Sequence, residues 1–193
     1  MDLEREPFRY VLEVFMQSLA SLGTRIIIVG PSNSGKSTLA LSIGEKLGLP
    51  TVHLDQLRHL PNTNWVERSD ADFAKLHDAA IMQENWVIEG NYSNLLPQRL
   101  DRASGIILLD SNVWLRLFRY VRRSFKNSAD RSGQLEGVND KLNWKMIYMI
   151  LIKTRNKGGR YAKIVESSGK PVIKCGSASE LNQLYRGWSL PLQ

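Results

Sequence analysis

Short apolar runs alternate with amphipathic stretches along most of the chain. Arg25-Ile-Ile-Ile-Val29 is an unbroken, mostly β-branched run, the pattern of a strand buried on both faces of a parallel sheet. Similar short runs at Thr51–Leu54, Trp86–Ile88, Gly105–Leu109 and Pro171–Lys174 predict four more strands. Between them the period lengthens to that of a helix. Residues 8–22 place Phe8, Val11, Leu12, Phe15, Leu19 and Leu22 on one face, ending at Gly23. A helix is expected from Gly35 to about Leu47, where Gly48 and Pro50 stop it. Others are expected through Phe73, Leu76, Ala80 and Ile81, from about Asn112 to Lys126, from Leu142 to Lys157, and after Ser177. The last begins with a capping box, Ser177-Ala-Ser-Glu180. The polar, glycine-containing stretch 127–140 has no period and reads as a mobile loop. Strands that alternate with helices predict an α/β fold, a parallel sheet covered on both faces.

Composition adds modest constraints. At 193 residues, with 42% hydrophobic and 23% charged residues, the chain suits a single globular domain spanning residues 1–193. Twenty-six Lys and Arg against 19 Asp and Glu leave a net charge of +7, which favours anionic partners without choosing among them. The lone cysteine, Cys175, excludes an internal disulfide and points to a reducing, cytoplasmic setting. The longest apolar stretches, Ile26–Val29 and Met146–Ile152, fall far short of the ~20 residues of a spanning helix, and the charged N-terminus is unlike a secretory signal.

The clearest chemistry lies between the first strand and the helix after it. Gly30-Pro-Ser-Asn-Ser-Gly35-Lys36-Ser37 fits G-x-x-x-x-G-K-[ST] at every position, in the strand–loop–helix context that the motif requires. Gly30 and Gly35 permit backbone conformations closed to other residues, so the amides of Ser32, Asn33, Ser34 and Gly35 can turn inward as an anion nest. Lys36 would meet the β- and γ-phosphates, Ser37 would offer its hydroxyl to magnesium, and Thr38 would lie near the α-phosphate. The implied cofactors are ATP, or GTP, and Mg2+.

Ligands of open α/β sheets collect outside the carboxyl ends of the strands. Asp55, Glu89 and Asp110 are expected at three such ends. Asp55 and Glu89 are candidates to complete the metal shell or to orient an acceptor, with Asp55 also a possible general base. Asp110, before Ser111 and Asn112, reads instead as a helix cap. Gly90, Asn91 and Tyr92 offer a close backbone approach and hydrogen-bonding groups to an acceptor, and Arg99 is either an anion-holding residue or a surface arginine. On the helix from Asn112, Trp114, Leu117, Phe118, Val121 and Phe125 form an apolar stripe. Arg116, Arg119, Arg123 and Lys126 occupy another face. Like charges at helical spacing call for anionic compensation, which a triphosphate would supply, with Arg119 and Arg123 as catalytic fingers. A solvated basic face and a nucleic-acid patch are the other readings of that face. Arg155 and Arg160 could return to the same phosphates. His53, His59 and His77 lack metal-ligand spacing, and Trp65, Trp86, Trp144 and Trp188 read as packing residues.

Taken together, Ile27–Gly30, Gly35–Ala40, His53-Leu54-Asp55, Trp86–Tyr92, Arg99, Leu108-Leu109-Asp110 and the arginine helix resemble the adenylate-kinase-like P-loop proteins. Within these, the chain looks most like the FlaR-related "DNA topology modulation" group. The resemblance covers roughly residues 24–187, leaving the N-terminal helix 1–22 outside it. It implies a three-layer sandwich with a five-stranded parallel sheet in the order 2-3-1-4-5. It also implies an acceptor-binding region at about 56–83, a lid at about 126–141, and an adenine border at Lys174–Ala178. Where adenylate kinases carry Asp-Gly-Phe-Pro-Arg, this chain has Glu89-Gly90-Asn91-Tyr92 and lacks the Pro-Arg pair that grips a nucleoside monophosphate. His53-Leu54-Asp55 is more similar to the shikimate and gluconate kinases, whose aspartate meets the acceptor hydroxyl. The expectation is an ATP-dependent phosphotransferase working on a small molecule or nucleotide. A nucleic-acid-associated ATPase or polynucleotide 5′-hydroxyl kinase, and a non-catalytic ATP-binding regulator, are the alternatives. The chain is expected to be a monomer or weak dimer with no membrane partner.

Overall fold

The structure, a computed structural model, describes residues 18–124, 144–153 and 157–191. Five parallel strands, β1 (Arg25–Val29), β2 (Thr51–His53), β3 (Trp86–Glu89), β4 (Gly105–Leu109) and β5 (Val172–Cys175), form one sheet in the order β2-β3-β1-β4-β5. The expected order is thus the observed one. The helices are α1 (Lys36–Leu47), α2 (Leu54–Arg58), α3 (Asp70–Ile81), α4 (Leu96–Arg102), α5 (Val113–Ser124), α6 (Trp144–Tyr148), α7 (Lys157–Glu166) and α8 (Ala178–Gly187).

Period-2 alternation along β1 builds two cores. Ile26 and Ile28 point to one face, where Leu39, Ala40 and Ile43 of α1 and Leu181 and Leu184 of α8 cover them. Ile27 and Val29 point to the other, against Ala80 and Ile81 of α3, Leu96 of α4, and Tyr161 and Val165 of α7. Residues 26 to 29 are fully buried, and each such side chain contributes about 1.5–3 kcal/mol relative to exposure. Parity also places the chemistry. Val87 lies in the α1-facing core, so Glu89, two residues on, faces α1 as well. His53 is the register partner of Glu89 on the neighbouring strand and shares that face.

Several boundaries differ from those read in the sequence. β2 ends at His53, and Leu54 already begins α2, so Asp55 stands in the first turn of a helix rather than at a strand end. Of the helix expected over 8–22, residues 19–22 form a 3-10 turn whose Leu19 and Leu22 are buried, while residues 1–17 lie outside the described part. The turn stops at Gly23 as expected, where φ is +68. Of the helix expected over 142–157, the described residues form α6 and a π-helix over Met149–Lys153, and Lys157 belongs to α7. α2, α4 and α7 carried no helix expectation. The capping box at Ser177 is present: its hydroxyl accepts from Glu180 N–H at 3.1 Å. The lid expected at about 126–141 lies outside the described residues, as does Arg155. Among the described residues no helix is long and apolar enough to cross a membrane.

The helix α5 is turned over relative to expectation. Trp114 and Phe118, from the apolar stripe, are 69% and 63% exposed, while Arg116 is 1% exposed. The arginine side faces the sheet end, where Arg116 Nη2 donates to the carbonyl of Ile150 in the π-helical turn at 3.0 Å. Trp144 is likewise exposed, whereas Trp86 is fully buried.

His77 on α3 is completely buried. Burial lowers its pKa below the ordinary 6.5, the Asp78 hydrogen bond opposes this, and the Arg99 charge adds to the lowering. The unfolded chain therefore takes up a proton first, and the stability present above pH 6.5 is lost as pH falls from there toward the folded value. The melting temperature is expected to drop between about pH 7 and about pH 5, and to drop less in His77→Leu. Parallel pH profiles of the two proteins would contradict this.

Candidate active site

The strand β1 runs into the loop 30–35 at the carboxyl edge of the sheet. Gly30 has φ +149, and a Cβ there would sit 2.2 Å from the Leu109 carbonyl oxygen. Gly35, at φ +100, is the left-handed N-cap of α1, and Asn33, at φ +62, is one of the few residue types that tolerate this region. Ser34 N–H donates to the Pro31 carbonyl at 3.3 Å, which closes a tight turn. Lys36 Nζ folds back across the loop and donates to the same carbonyl at 3.0 Å. The buried Ser34 hydroxyl has no hydrogen-bond partner among the described residues. Ser32, Ser34 and Gly35 lie in this loop, and Lys36, Ser37 and Thr38 open the twelve-residue helix α1 that follows it.

Beside the loop stands a carboxylate. Glu89 Oε1 accepts from Ser37 Oγ at 2.9 Å and lies 3.0 Å from His53 Nδ1. Glu89 is 4% exposed. Burial pushes its pKa up, but the His53 hydrogen bond, the Lys36 charge and the Ser37 hydroxyl outweigh that and hold it below the ordinary carboxylate value. An ionised carboxylate beside a serine hydroxyl suits a cation shared with a nucleotide. Among the described residues no group of three or more His, Cys, Asp and Glu could by itself hold a metal ion. A cation that keeps its waters and takes its other ligands from phosphates needs no such cage. His53 was not singled out in the sequence for this role; its signal was the register with Glu89, which needs the sheet order.

Arg119 completes the loop from above. Its Nη1 donates to the Ser34 carbonyl at 2.7 Å. Burial lowers its pKa, the nearby Tyr185 opposing. The Arg119 guanidinium thus reaches the loop 30–35 from α5. Arg123 lies one turn further along α5, with its side chain outside the described set, as is that of Arg160.

The acceptor side is built differently from expectation. Asp55 is exposed, and its Oδ1 accepts from Tyr92 Oη at 2.6 Å. Burial, then the charge and hydrogen bond of Asp55, raise the Tyr92 pKa, so the phenol stays a donor. Tyr92 holds φ +31, strained for an aromatic residue, and its ring packs 4.8 Å from Phe73. Leu54 fills the space over Gly90, where a Cβ would come within 2.8 Å, so a side chain rather than a ligand makes the close approach. Asn91 spends its amide on Gly30. Arg99 is fully buried, which removes the surface reading. Its Nη2 donates to the carbonyls of Asn91 at 2.6 Å and Gly90 at 3.4 Å, and burial lowers its pKa to about 10.

Asp110 is exposed and does not cap α5; Asn112 Oδ1 does so, accepting from Trp114 N–H at 2.8 Å. Asp110 instead lines a pocket of about 370 Å³ with Pro31, Asn112, Trp114 and Arg116. Burial lowers the Arg116 pKa, and Asp110 counters this. Cys175 is buried, with its thiol pushed up to about 12 by burial and by Glu180, consistent with inert packing. Lys174–Ala178 runs from the end of β5 into the cap of α8.

No family model matches the chain, and no curated protein does. Among solved structures, a shikimate kinase from Acinetobacter baumannii in complex with shikimate is similar at a TM-score of 0.54 and 15% identity, over 86% of this chain and 92% of that one. A gluconokinase from Sinorhizobium meliloti 1021 matches at 0.40 and 14%, over 77% and 98%. At such identities the shikimate kinase likeness is one of fold: a P-loop kinase architecture.

Proposed function

We propose that this protein is an ATP-dependent phosphotransferase that moves the γ-phosphoryl group to a hydroxyl of a small molecule. The observation that carries the reading is the convergence on one loop of Lys36, the Ser37–Glu89 pair and Arg119, with Asp55 exposed on the neighbouring helix. The loop amides and Lys36 would hold the β- and γ-phosphates. Ser37, with Glu89 behind it, would hold magnesium, which when bound supplies charge neutralisation on the phosphates. Arg119 neutralises charge from the α5 side, and Arg123 is proposed to join it. Asp55 accepts the proton of the acceptor hydroxyl, and Tyr92 keeps that carboxylate oriented. The shikimate and gluconate kinase likeness of His53-Leu54-Asp55 favours a polyhydroxy metabolite over a nucleoside monophosphate.

The test is transfer of labelled γ-phosphate to an acceptor by wild type and Asp55→Asn. Loss of the base is expected to cut transfer about 10²–10⁴-fold while MgATP affinity stays within about twofold, because Asp55 lies on the acceptor side. Undiminished transfer by Asp55→Asn would remove Asp55 from the chemistry. Wild-type release of free phosphate with no labelled acceptor would favour an ATPase or a regulator.

A further inference from the structure

Residues 89–92 touch three separate parts of the site. Glu89 takes the Ser37 hydroxyl at 2.9 Å, and Tyr92 donates to Asp55 at 2.6 Å. Between them, Asn91 clasps one residue of the phosphate loop with both ends of its amide. Gly30 N–H donates to Asn91 Oδ1 at 3.2 Å, and Asn91 Nδ2 donates to the Gly30 carbonyl at 2.9 Å. The two partners fix which end of the amide is oxygen, since a backbone N–H must meet an acceptor and a carbonyl must meet a donor.

The clasp is stiff on both sides. Gly30 lies so close to the Leu109 carbonyl that even a methyl group would not fit between them. On the other side, the Asn91 carbonyl is held at 2.6 Å by the fully buried Arg99. Any shift of the loop entrance must therefore move residues 90–92, and with them the tyrosine that holds Asp55. We infer that Asn91 is a positioning residue that locks the phosphate loop and the acceptor-side aspartate into one frame, so that nucleotide binding is transmitted to Tyr92 and Asp55. Asn91 itself touches neither phosphate nor acceptor in this account. The inference rests on the transferase reading for its effect on rate, but the mechanical coupling does not.

No other common side chain of this size serves. Aspartate can only accept, and would set a carboxylate oxygen against the Gly30 carbonyl. Leucine has the shape with neither hydrogen bond. Glutamine has the same fork one methylene too long.

The experiment compares wild type with Asn91→Leu and Asn91→Asp, the second standing in should the first fail to fold. Amide hydrogen exchange is followed with and without MgADP, whose affinity is measured by calorimetry. MgADP is expected to slow exchange over residues 30–38 in all three proteins, and over 90–95 in wild type alone, with affinities within about threefold of one another. Equal slowing over 90–95 in the variants, or loss of MgADP binding together with loss of that protection, overturns the inference. This arm needs no acceptor and decides the point even if the transferase reading fails. Where an acceptor turns over, the variants are expected to lose about 10²-fold in kcat with little change in KM for ATP, the cost of a misplacement on the order of 1 Å. A rise in KM at constant kcat would mark Asn91 as merely structural and overturn its positioning role.

Discussion

Lys36→Ala is expected to lower turnover by about 10³-fold, the scale seen when a preorganised charge is removed from the point where charge develops. The ammonium lies within the curl of the loop, 3.0 Å from the Pro31 carbonyl, and its field helps keep Glu89 ionised. Its removal leaves the two cores untouched, since the side chain is only partly buried and packs in neither. The melting temperature should thus stay within a few degrees, reflecting a cost of about 0.5–1 kcal/mol or less. Steady-state kinetics and a thermal melt check both halves. Unchanged turnover would remove the loop from the chemistry, and a collapsed melt would make Lys36 structural.

The second large effect is expected at Arg119. Arg119→Ala should cut kcat by about 10³-fold, the lower end of what an arginine finger contributes, with MgATP affinity changed far less. The guanidinium already touches the loop through the Ser34 carbonyl at 2.7 Å, so it can meet equatorial phosphoryl oxygens without a large movement. Arg119→Lys should recover little, because a point charge cannot hold the loop carbonyl and an oxygen of the phosphate with the same planar fork. Full activity in Arg119→Lys would reduce the role to simple charge. A change confined to KM for ATP would place Arg119 in ground-state binding instead.

The phosphate loop was legible because each of its residue types answers a local demand: tight backbone at Gly30 and Gly35, charge at Lys36, a hydroxyl at Ser37. The sheet was legible because β-branched runs have few other uses. What the sequence hid is long-range or locally contradictory. The Asn91–Gly30 clasp joins residues 61 apart, and the Tyr92–Asp55 bond spans 37; neither has any local signature. α2 is five residues long with no side-chain cap, and Gly158 and Gly159 disguise the start of α7. α4 could have been found, since Pro97 sits in its first turn and Leu96, Leu100 and Ala103 follow the helical period. The orientation of α5 misled for a physical reason. Amphipathic patterning assumes that apolar side chains face the protein, but here Arg116 and Arg119 serve the sheet end and the loop, and aromatic Trp114 and Phe118 are left at the surface. Arg99 shows the converse: read as either an anion-holding or a surface arginine, it is fully buried, and its guanidinium donates to the backbone carbonyls of residues 90 and 91.

The measurement that bears most directly on the whole account is ADP formation from ATP and magnesium across a panel of acceptors. The panel holds polyhydroxy acids, sugars, deoxynucleosides, nucleoside monophosphates and 5′-hydroxyl oligonucleotides, with Lys36→Ala as the blank. Stimulation by a hydroxyl-bearing small metabolite, abolished in the blank, is the expected result. Tight MgATP binding with the same slow background for every acceptor would contradict it.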